Sequence, residues 1–415
     1  MPRKVCIVSP GNLASNPRVL KEADALHEAG YGVTAVVCNY TDSLRSFDDD
    51  IAAKVPWSVV RVSRLAREPY LQRAASLIGR ALSKAALGVP LSVAVGAYGG
   101  PAQALSHAAR AIPADLYIAH YIAALPGAAA AARRHGGMLG FDAEDFHSGE
   151  GTGGLTEDFR MAMVRTVEGA CLPSCSYITT AAPLIGEGYR SLYGVSSTTL
   201  LNVFPLAMMT AVPGHDVGRD RSGTLRAYWF SQTIGPDRGL QEFLRAMAKA
   251  KTQVFLDIRG GDRSGHGEAL MTMARELGLA ERVRLLPVAA PDEMVDLAVP
   301  YDLGLSLETG ATESRRRCLT NKIFTYLLAG VPVMMSDTPA QSALAPDLGE
   351  AAALVSLADP DSMAQALDRL AGSPEALDKA KAAASRLGRR RYNWDVEKQV
   401  LLDSVERVFA HGGRA

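Results

Sequence analysis

Residues Leu319–Asp337 constrain the fold of this chain more than any other stretch. They read LTNKIFTYLLAGVPVMMSD. Thr320 or Asn321 can cap a helix whose apolar residues recur at helical spacing, and Gly330 is a typical helix terminator. A strand-length apolar run lies on each side of this helix. The order predicts a strand–helix–strand unit of a parallel sheet, with the helix N-terminus near the carboxyl ends of the strands.

The N-terminus of this helix is a candidate anion site. The first N–H groups of a helix have no partner within it and attract negative charge, so a phosphate is the natural ligand. The alternative is an ordinary crossover helix without a ligand, of which any α/β protein contains several.

Composition excludes several classes of protein. A length of 415 residues predicts two or three domains. Lysines and arginines number 44, as do aspartates and glutamates, which argues against a nucleic-acid-binding protein with its basic excess. The five cysteines lie mostly in apolar runs and no signal peptide pattern precedes the first strand, so we expect a reduced, cytoplasmic protein without a metal site.

Both halves of the chain alternate strand and helix patterns. At least six strands are predicted before residue 206, enough for one doubly wound sheet, and a second α/β set begins near residue 225. Residues 66–112 form an Ala- and Leu-rich helical region broken at Gly88–Pro90 and Gly99–Pro101. These breaks leave it too interrupted to span a membrane. We expect it to pack on the sheet or line an acceptor site, with peripheral membrane contact as the alternative.

The predicted fold class is α/β, with two doubly wound, Rossmann-like domains facing a central cleft. The predicted domains are residues 1–205 and 224–388, joined by a linker over 206–223 and followed by a C-terminal helix in 389–415. In sheets of this kind, ligands bind outside the carboxyl ends of the strands.

The loops exclude two common nucleotide sites. The loop after the first strand, PGNLAS, has one glycine, and its counterpart in the second domain offers only Gly235 and Gly239, so the dinucleotide fingerprint is missing. No Walker A motif occurs. The acidic triplet at residues 48–50 is predicted to be a solvated turn in a polar loop rather than a metal site.

Several segments together resemble the GT-B glycosyltransferases, in particular family 4. They are SNPRVLKEADALHEAGYGVTAVV, DLYIAHY, FDAEDFHSGE, FSQTIGPDRGLQEFLRAM, LTNKIFTYLLAGVPVMMSD and the final YNWDVEKQVLLDSVERVF. The resemblance spreads over essentially the whole chain. It implies the GT-B fold, with a final helix that crosses back to the first domain. It also implies sugar transfer from a nucleotide diphosphate-sugar to an acceptor hydroxyl, with retention and without a metal or a bound cofactor.

The same resemblance assigns the donor site, with two departures from the family pattern. Arg238 stands where the family has a phosphate-binding lysine, and arginine can reach two phosphate oxygens at once. Gln232 stands at the position of the family's phosphate-binding arginine, and Thr325 at that of its ribose-binding glutamate. Neither replacement carries a charge, so one phosphate anchor and the ribose contact are weakened.

Other residues are candidates to complete the donor site. Thr320, Asn321 and Lys322 are expected to surround the nucleotide, and Gly260 lies in the neighbouring strand-end loop. The basic run 315–317 and Lys322 can supply the missing charge, with a solvated basic loop as the alternative. Glu308 can replace the ribose contact, with a solvent-facing acid as the alternative.

The candidate catalytic residues of the first domain follow two strands. His120 ends one strand, and Asp142, Glu144 and Asp145 crowd the end of the next, together with His147. A carboxylate or imidazole placed there can take the proton of the acceptor hydroxyl. In a retaining reaction the leaving phosphate can also accept that proton.

Two residues of the first loop are candidates for close approach to the sugar. They are Gly11 and Asn12. Glycine tolerates backbone conformations that other residues avoid, so it can let the loop lie close to the sugar; the alternative is a simple turn.

Two other functions stay open at this point. A non-hydrolysing sugar-nucleotide epimerase of the same fold would act on the nucleotide-sugar alone. A catalytically inactive GT-B protein would serve as a binding or scaffold partner. The acceptor is a saccharide, a lipid-linked molecule or a small molecule, and a membrane-peripheral location is the alternative to a purely cytoplasmic one.

Overall fold

The chain folds into two compact units in a computed structural model. It describes residues 2–39, 41–63, 68–85, 87–99, 101–209 and 223–412. The first unit comprises Met1–Leu200, Thr312–Ser314 and Lys398–Ala415, and the second comprises Leu201–Ala311 and Arg315–Glu397. Most of the predicted linker, residues 210–222, lies outside the described residues.

The first unit is built on a parallel sheet of seven strands. The strands are β1 (Lys4–Ser9), β2 (Gly32–Cys38), β3 (Ser58–Val62), β4 (Leu116–His120), β5 (Met138–Ala143), β6 (Tyr177–Thr180) and β7 (Thr198–Thr199). The helices are α1 (Pro17–Glu28), α2 (Arg45–Lys54), α3 (Glu68–Lys84), α4 (Leu91–Tyr98), α5 (Ala102–Ala111), α6 (Tyr121–His135), α7 (Leu155–Cys171) and α8 (Pro183–Tyr193). The order β3-β2-β1-β4-β5-β6-β7 reverses direction between β1 and β4.

The second unit contains a parallel sheet of six strands in the order β10-β9-β8-β11-β12-β13. Its strands are β8 (Leu225–Thr233), β9 (Val254–Gly261), β10 (Val283–Leu286), β11 (Leu303–Ser306), β12 (Val333–Ser336) and β13 (Ala352–Val355). The helices that follow are α9 (Leu240–Lys249), α10 (His266–Glu276), α11 (Met294–Ala298), α12 (Glu313–Arg317), α13 (Asn321–Leu328), α14 (Pro339–Leu348), α15 (Pro360–Ala371), α16 (Pro374–Arg390) and α17 (Trp394–Ala410).

Central strands are apolar along their whole length because helices cover both faces of each sheet. In β1 the side chains from Val5 to Val8 are all buried. The strand–helix–strand unit predicted from Leu319–Asp337 is confirmed, since β11 and β12 pair in parallel on either side of α13. In each sheet the strand order reverses beside the first strand, which places a switch point at β1/β4 and another at β8/β11.

The C-terminal helix returns to the first unit, as predicted. The ring of Phe409 stacks on Tyr31 with centroids 5.7 Å apart, and the guanidinium of Arg3 lies 4.3 Å from the centroid of Phe409. Lys398 pairs with Glu28 at 3.1 Å. The helix is shorter than predicted, because Arg389 and Arg390 belong to α16 and the last helix begins at Trp394.

Two local predictions are wrong. The acidic triplet lies in helix α2 rather than in a loop, and Asp48 is buried because the amide of Asn12 and the N–H of Ala14 both donate to it at 2.8 Å. The strand predicted at 199–203 is reduced to β7. Within the residues that the structure describes, no helix has the length and apolar character needed to cross a membrane.

Candidate functional site

The switch point of the first unit contains a cluster of buried charged side chains. His120, the last residue of β4, is fully buried, with Nε2 3.2 Å from Glu22 Oε2 and Nδ1 3.3 Å from Asp142 Oδ2. Arg18 and Lys21 lie on the same helix as Glu22 and are buried with it. Asn16 caps α1 by accepting the N–H of Val19, which directs this charged face of the first turns toward β4 and β5.

Asp142 has no capacity left for a substrate. Its carboxylate accepts two hydrogen bonds from Arg18, at 2.6 and 2.7 Å, and one from the hydroxyl of Thr179 at 2.6 Å. Burial alone would raise the pKa of Asp142, but Arg18 holds it below its ordinary value. The sequence placed Asp142 among the catalytic residues; these contacts favour a positioning role toward Arg18 and His120, and the catalytic assignment stays a prediction.

The carboxylates around His120 favour its protonated form. Burial alone would lower its pKa, but the carboxylates of Glu22, Glu144 and Asp142 raise it to about 10. A protonated ring has no lone pair with which to accept a proton, so this shift disfavours a base, and the role of His120 as a base stays a prediction. The pKa of Lys21 shifts in the opposite direction, because burial and the neighbouring Arg18 lower it to about 7.

Three residues of this cluster have the side-chain types and the spacing of metal ligands. One ligand atom from each of Glu22, His120 and Asp142 lies within 4.8 Å of the others. The guanidinium of Arg18 already neutralises Asp142, and a cation would face both this group and the protonated His120. The charges therefore balance as an ion-pair network.

Glu144 and Asp145 are the predicted catalytic residues that reach the surface of this edge. Both are partly exposed, whereas His120 and Asp142 are fully buried. Glu144 Oε1 accepts a long hydrogen bond of 3.4 Å from Asn16 and lies 3.5 Å from Nδ1 of His120. A carboxylate beside an imidazolium at the end of a parallel strand can hold or transfer the proton of a bound hydroxyl.

Tyr121 was missed by the sequence analysis. It begins α6 with φ at +62°, a left-handed conformation that is costly for an aromatic residue. The carboxylate of Glu144 and burial raise the pKa of its hydroxyl well above the ordinary value. Its ring lies 5.7 Å from that of His147, whose Nδ1 is 2.7 Å from Glu150. Strain of this kind concentrates at functional sites, and no residue pattern in the sequence signals it.

Arg18 and Glu22 were missed although the sequence carried a signal. With Lys21 they are spaced i, i+3 and i+4 along α1, which places all three on one helix face beside the apolar positions.

The first loop is held by Asn12 through structural hydrogen bonds. Its buried amide donates to Asp48, and its carbonyl oxygen accepts the N–H of Thr41 at 2.9 Å. The side chain is therefore occupied within the unit. Gly11 has an ordinary backbone conformation, and a Cβ there would lie 3.4 Å from Ser15, so the loop does not require glycine for its own geometry.

The switch point of the second unit holds one buried carboxylate among three cations. Glu308 follows β11, and its Oε2 accepts hydrogen bonds from Arg238 at 3.2 Å and Arg315 at 3.3 Å. Lys322 Nζ lies 3.4 Å from Oε1. The predicted solvent-facing alternative for Glu308 is wrong, since its side chain is 1% exposed. Glu308 thus brings three cationic side chains together at the carboxyl end of the sheet.

The protonation of this cluster follows from its geometry. Burial alone would raise the pKa of Glu308, but Lys322, Arg238 and Arg315 hold it below its ordinary value. Burial lowers the pKa of Lys322 against the attraction of Glu308. The ammonium also lies 5.7 Å from the centroid of the Trp229 ring, which favours the charged form.

The loop between β8 and α9 aims Arg238 at Glu308. Asp237 and Gly239 on either side have φ of +59° and +65°. A Cβ on residue 239 would lie 2.5 Å from the carbonyl oxygen of Leu307, so only glycine lets the loop lie against the end of β11. Gly239 also begins α9, whose first N–H groups face the same strand ends.

The remaining predicted donor residues differ in what they can contact. Thr320 and Asn321 are partly exposed at the start of α13, and the hydroxyl of Thr320 lies 3.0 Å from that of Ser306. Gln232 is exposed near the end of β8. Thr325 is buried and donates its hydroxyl to the carbonyl of Asn321 at 3.0 Å, which disfavours a ribose contact; that assignment stays a prediction.

Gly260 has a packing role. A Cβ there would lie 2.9 Å from the carbonyl oxygen of Ser231, so the β-bulge near the end of β8 requires glycine on the neighbouring strand.

Comparison with solved structures identifies the architecture. Anabaena HepE in complex with UDP-glucose matches with a TM-score of 0.70 at 14% identity, over 97% of this chain and 99% of that one. The two units have the GT-B fold. The sucrose-phosphate synthase of Thermosynechococcus elongatus also has a TM-score of 0.70, at 13% identity, over 99% of this chain and 100% of that one.

The GT-B likeness extends to a protein with another activity in its description. A Listeria monocytogenes protein described as a UDP-N-acetylglucosamine 2-epimerase matches with a TM-score of 0.58 at 12% identity, over 100% of this chain and 99% of that one. No family model matches the sequence, and no curated protein matches it. At these identities the likeness to the solved GT-B structures is one of fold.

Proposed function

We propose that this protein is a glycosyltransferase that moves a sugar from a nucleotide diphosphate-sugar to an acceptor hydroxyl. The observation that carries the proposal is the cluster of Arg238, Arg315 and Lys322 around Glu308 at the β8/β11 switch point. A diphosphate is an anion that such a group of cations can bind, since guanidinium groups bind phosphate oxygens in pairs. The GT-B fold supports the same reading, because HepE of this fold binds UDP-glucose.

The donor would lie with its diphosphate against the start of α9 and α13. Arg238 and Arg315 would exchange the Glu308 carboxylate for phosphate oxygens, and the N–H groups at Gly239 and Thr320 would bind further oxygens. These cations can neutralise the charge that builds up on the leaving diphosphate, the role that a divalent metal has in other transferases. We therefore propose a metal-independent reaction.

The residues are compatible with a retaining reaction of the family 4 type. In that reaction the leaving phosphate accepts the acceptor proton, so no strong base is required. Glu144 and Asp145 would then orient the acceptor hydroxyl or the sugar. We place the reaction in the cytoplasm, where nucleotide-sugars are the donors.

Calorimetric titration with nucleotides tests the donor site. We expect a nucleoside diphosphate to bind, the monophosphate to bind more weakly and the nucleoside to bind weakest. Arg238→Ala should raise the dissociation constant of the diphosphate about 10- to 100-fold, since a charge-assisted hydrogen bond contributes about 1.5–3 kcal/mol. Arg245→Ala, an exposed arginine of α9 paired with Glu242, is the matched control and should leave binding unchanged.

A donor panel scored by released nucleoside diphosphate then separates the candidate functions. Turnover that depends on an added saccharide or lipid-linked acceptor is the expected result. Conversion of the nucleotide-sugar without any acceptor would instead support an epimerase, the second candidate that the Listeria structure favours. Absence of binding by every nucleoside diphosphate would overturn both enzyme functions and support a scaffold, in line with the uncharged Gln232 and the buried Thr325.

A further inference from the structure

Helix α3 exposes an unusual concentration of large apolar side chains. Twelve such side chains are exposed among the described residues; four of them lie on α3, and a fifth follows three residues after its end. They are Tyr70, Leu71, Leu77, Ile78 and Leu87. Leu77, on the third turn of the helix, is 71% exposed, so the solvated face of α3 is apolar where an ordinary surface helix is polar.

The opposite face of α3 already packs on its own unit. A Cβ on Gly79 would lie 3.2 Å from the ring of Phe159 in α7, and Ala75 packs closely on Gly96 of α4. These small residues bring the helix backbone close to its neighbours. Tyr70, Leu77 and Ala81 are spaced i, i+7 and i+11, so they form a separate stripe that points away from those contacts. Ile78 borders this stripe, about 80° around the helix from Tyr70 at 100° per residue.

The charges around this stripe are all positive. Arg73 and Lys84 are exposed on its flank, about 20–40° around the helix from Leu77, as follows from 100° per residue. Glu68 is the sole acidic residue between Asp50 and Asp115 in the sequence, against eight lysines and arginines. It is buried, and its carboxylate accepts the N–H of Ala104 at 3.1 Å. A solvated helix face carries both signs of charge, and this one does not.

We propose that α3 binds the surface of an anionic lipid bilayer. An exposed apolar stripe with a basic flank and without acidic residues is the pattern by which a helix lies in the headgroup region. Tyr70, Leu77 and Ile78 enter the boundary between headgroups and acyl chains. Arg73 and Lys84 extend along the stripe and place their charges on anionic headgroups.

Co-sedimentation of the full chain with vesicles tests the proposal. We expect binding to vesicles that contain phosphatidylglycerol, little binding to phosphatidylcholine alone, and weaker binding at high salt. The double variant Leu77→Ser/Ile78→Ser should lower the partition coefficient about 100-fold, because two apolar side chains no longer leave water. Leu192→Ser, at an exposed leucine of α8, is the matched control and should leave partitioning unchanged.

A second pair of variants tests the charges. Arg73→Gln/Lys84→Gln should weaken binding to anionic vesicles at least tenfold, since each basic residue near the surface contributes about fivefold. Arg245→Gln/Lys249→Gln in α9 is the control. All these positions are exposed, so the thermal unfolding of each variant should match that of the parent protein.

Two results would overturn the proposal. One is no binding to phosphatidylglycerol vesicles, or equal binding to both lipids. The other is a parent protein that sediments as a dimer and becomes a monomer on Leu77→Ser/Ile78→Ser without vesicle binding, which would make the stripe an interface between two copies of the chain.

Discussion

At the scale of single residues, the carboxylate of Glu308 both organises the cations of the second unit and competes with any anion for them. It accepts hydrogen bonds from Arg238 and Arg315 and lies beside Lys322, so without a ligand it keeps three positive charges from repelling one another. In the proposed function, an arriving diphosphate would take over part of that role. Glu308 thus sets how much the protein gains from its ligand.

The first prediction concerns Glu308→Gln. Removal of a buried charge partner should lower the free energy of unfolding by about 2–4 kcal/mol. UDP should then raise the melting temperature of the variant more than that of the parent protein, because the nucleotide replaces the missing negative charge.

Asp257→Asn is the control for this prediction. Asp257 is also a buried carboxylate of the second unit, but its partners are Arg284 and Tyr301. We expect a similar loss of stability without an enlarged effect of UDP. An equal UDP effect in both variants would contradict the role assigned to Glu308.

The second prediction concerns the pH dependence that His120 confers. The pKa of His120 is raised in the folded protein from 6.5 to about 10, so its stabilising effect is complete below pH 6.5 and is lost as the pH rises toward 10. The free energy of unfolding of the parent protein should exceed that of His120→Gln most below pH 6.5. The difference should shrink by more than about 1 kcal/mol by pH 9.

Urea titrations at several pH values measure this difference. His411→Gln, at an exposed position after α17, serves as the control. A difference between parent and His120→Gln that grows with pH would show that His120 is neutral in the folded protein.

At the scale of elements, the loop from β8 to α9 depends on the end of β11. Gly239→Ala places a Cβ against the carbonyl oxygen of Leu307 in addition to a left-handed backbone. We expect a loss of about 3 kcal/mol in the free energy of unfolding, together with weaker UDP binding because Arg238 moves with the loop.

Gly194→Ala separates the cost of the left-handed backbone from the cost of the steric contact with Leu307. Gly194 ends α8 with φ at +68°, and no atom lies within 4 Å of where its Cβ would be. Only the backbone cost of about 1–2 kcal/mol applies there. Urea unfolding of both variants gives the comparison, and equal losses would mean that contact with Leu307 has no effect.

The sequence predicted elements better than contacts, for a physical reason. Periodicity, helix caps and Gly–Pro breaks are local, and they gave the parallel sheets, the strand–helix–strand unit around α13 and the helices on either side of Gly88–Pro90. The pairing of Arg18 with Asp142 spans 124 positions, and no local pattern encodes it. The same holds for the hydrogen bond from the amide of Asn12 to Asp48, which spans 36 positions.

The departures from the family pattern could be read from the sequence, but their consequences could not. Thr325 and Gln232 are visible as uncharged residues in the sequence. That Arg315 reaches Glu308 while Thr325 turns back to its own helix depends on side-chain directions that only the folded chain specifies.

At the scale of the whole molecule, the two units are not consecutive segments of the chain. Lys398–Ala415 belongs with the first unit, and Leu201–Glu397 with the second, apart from residues 312–314. The buried face of α17 includes Leu401 and Val405. A substitution near the C-terminus should therefore affect strands at the N-terminus.

Leu401→Ala tests this coupling. We expect the free energy of unfolding to fall by about 2–4 kcal/mol. Amide hydrogen exchange should become faster in β1 and β2 and change little in β8 and β9. Val396→Ala, an exposed valine of the same helix, should leave both regions unchanged. Faster exchange in β8 and β9 alone would contradict the assignment of Leu401 to the first unit.

Because part of α17 belongs to the first unit, that unit cannot be completed during translation until α17 has been synthesised. The ribosome releases the first unit's sheet before the second unit, and Lys398–Ala415, which belongs to the first unit, follows roughly 200 residues later. At about 5–20 residues per second, this interval lasts on the order of 10–40 seconds. During it the apolar surface that later receives Leu401, Val405 and Val408 stays uncovered on a nascent chain. The first unit is thus completed only after the second unit has been synthesised.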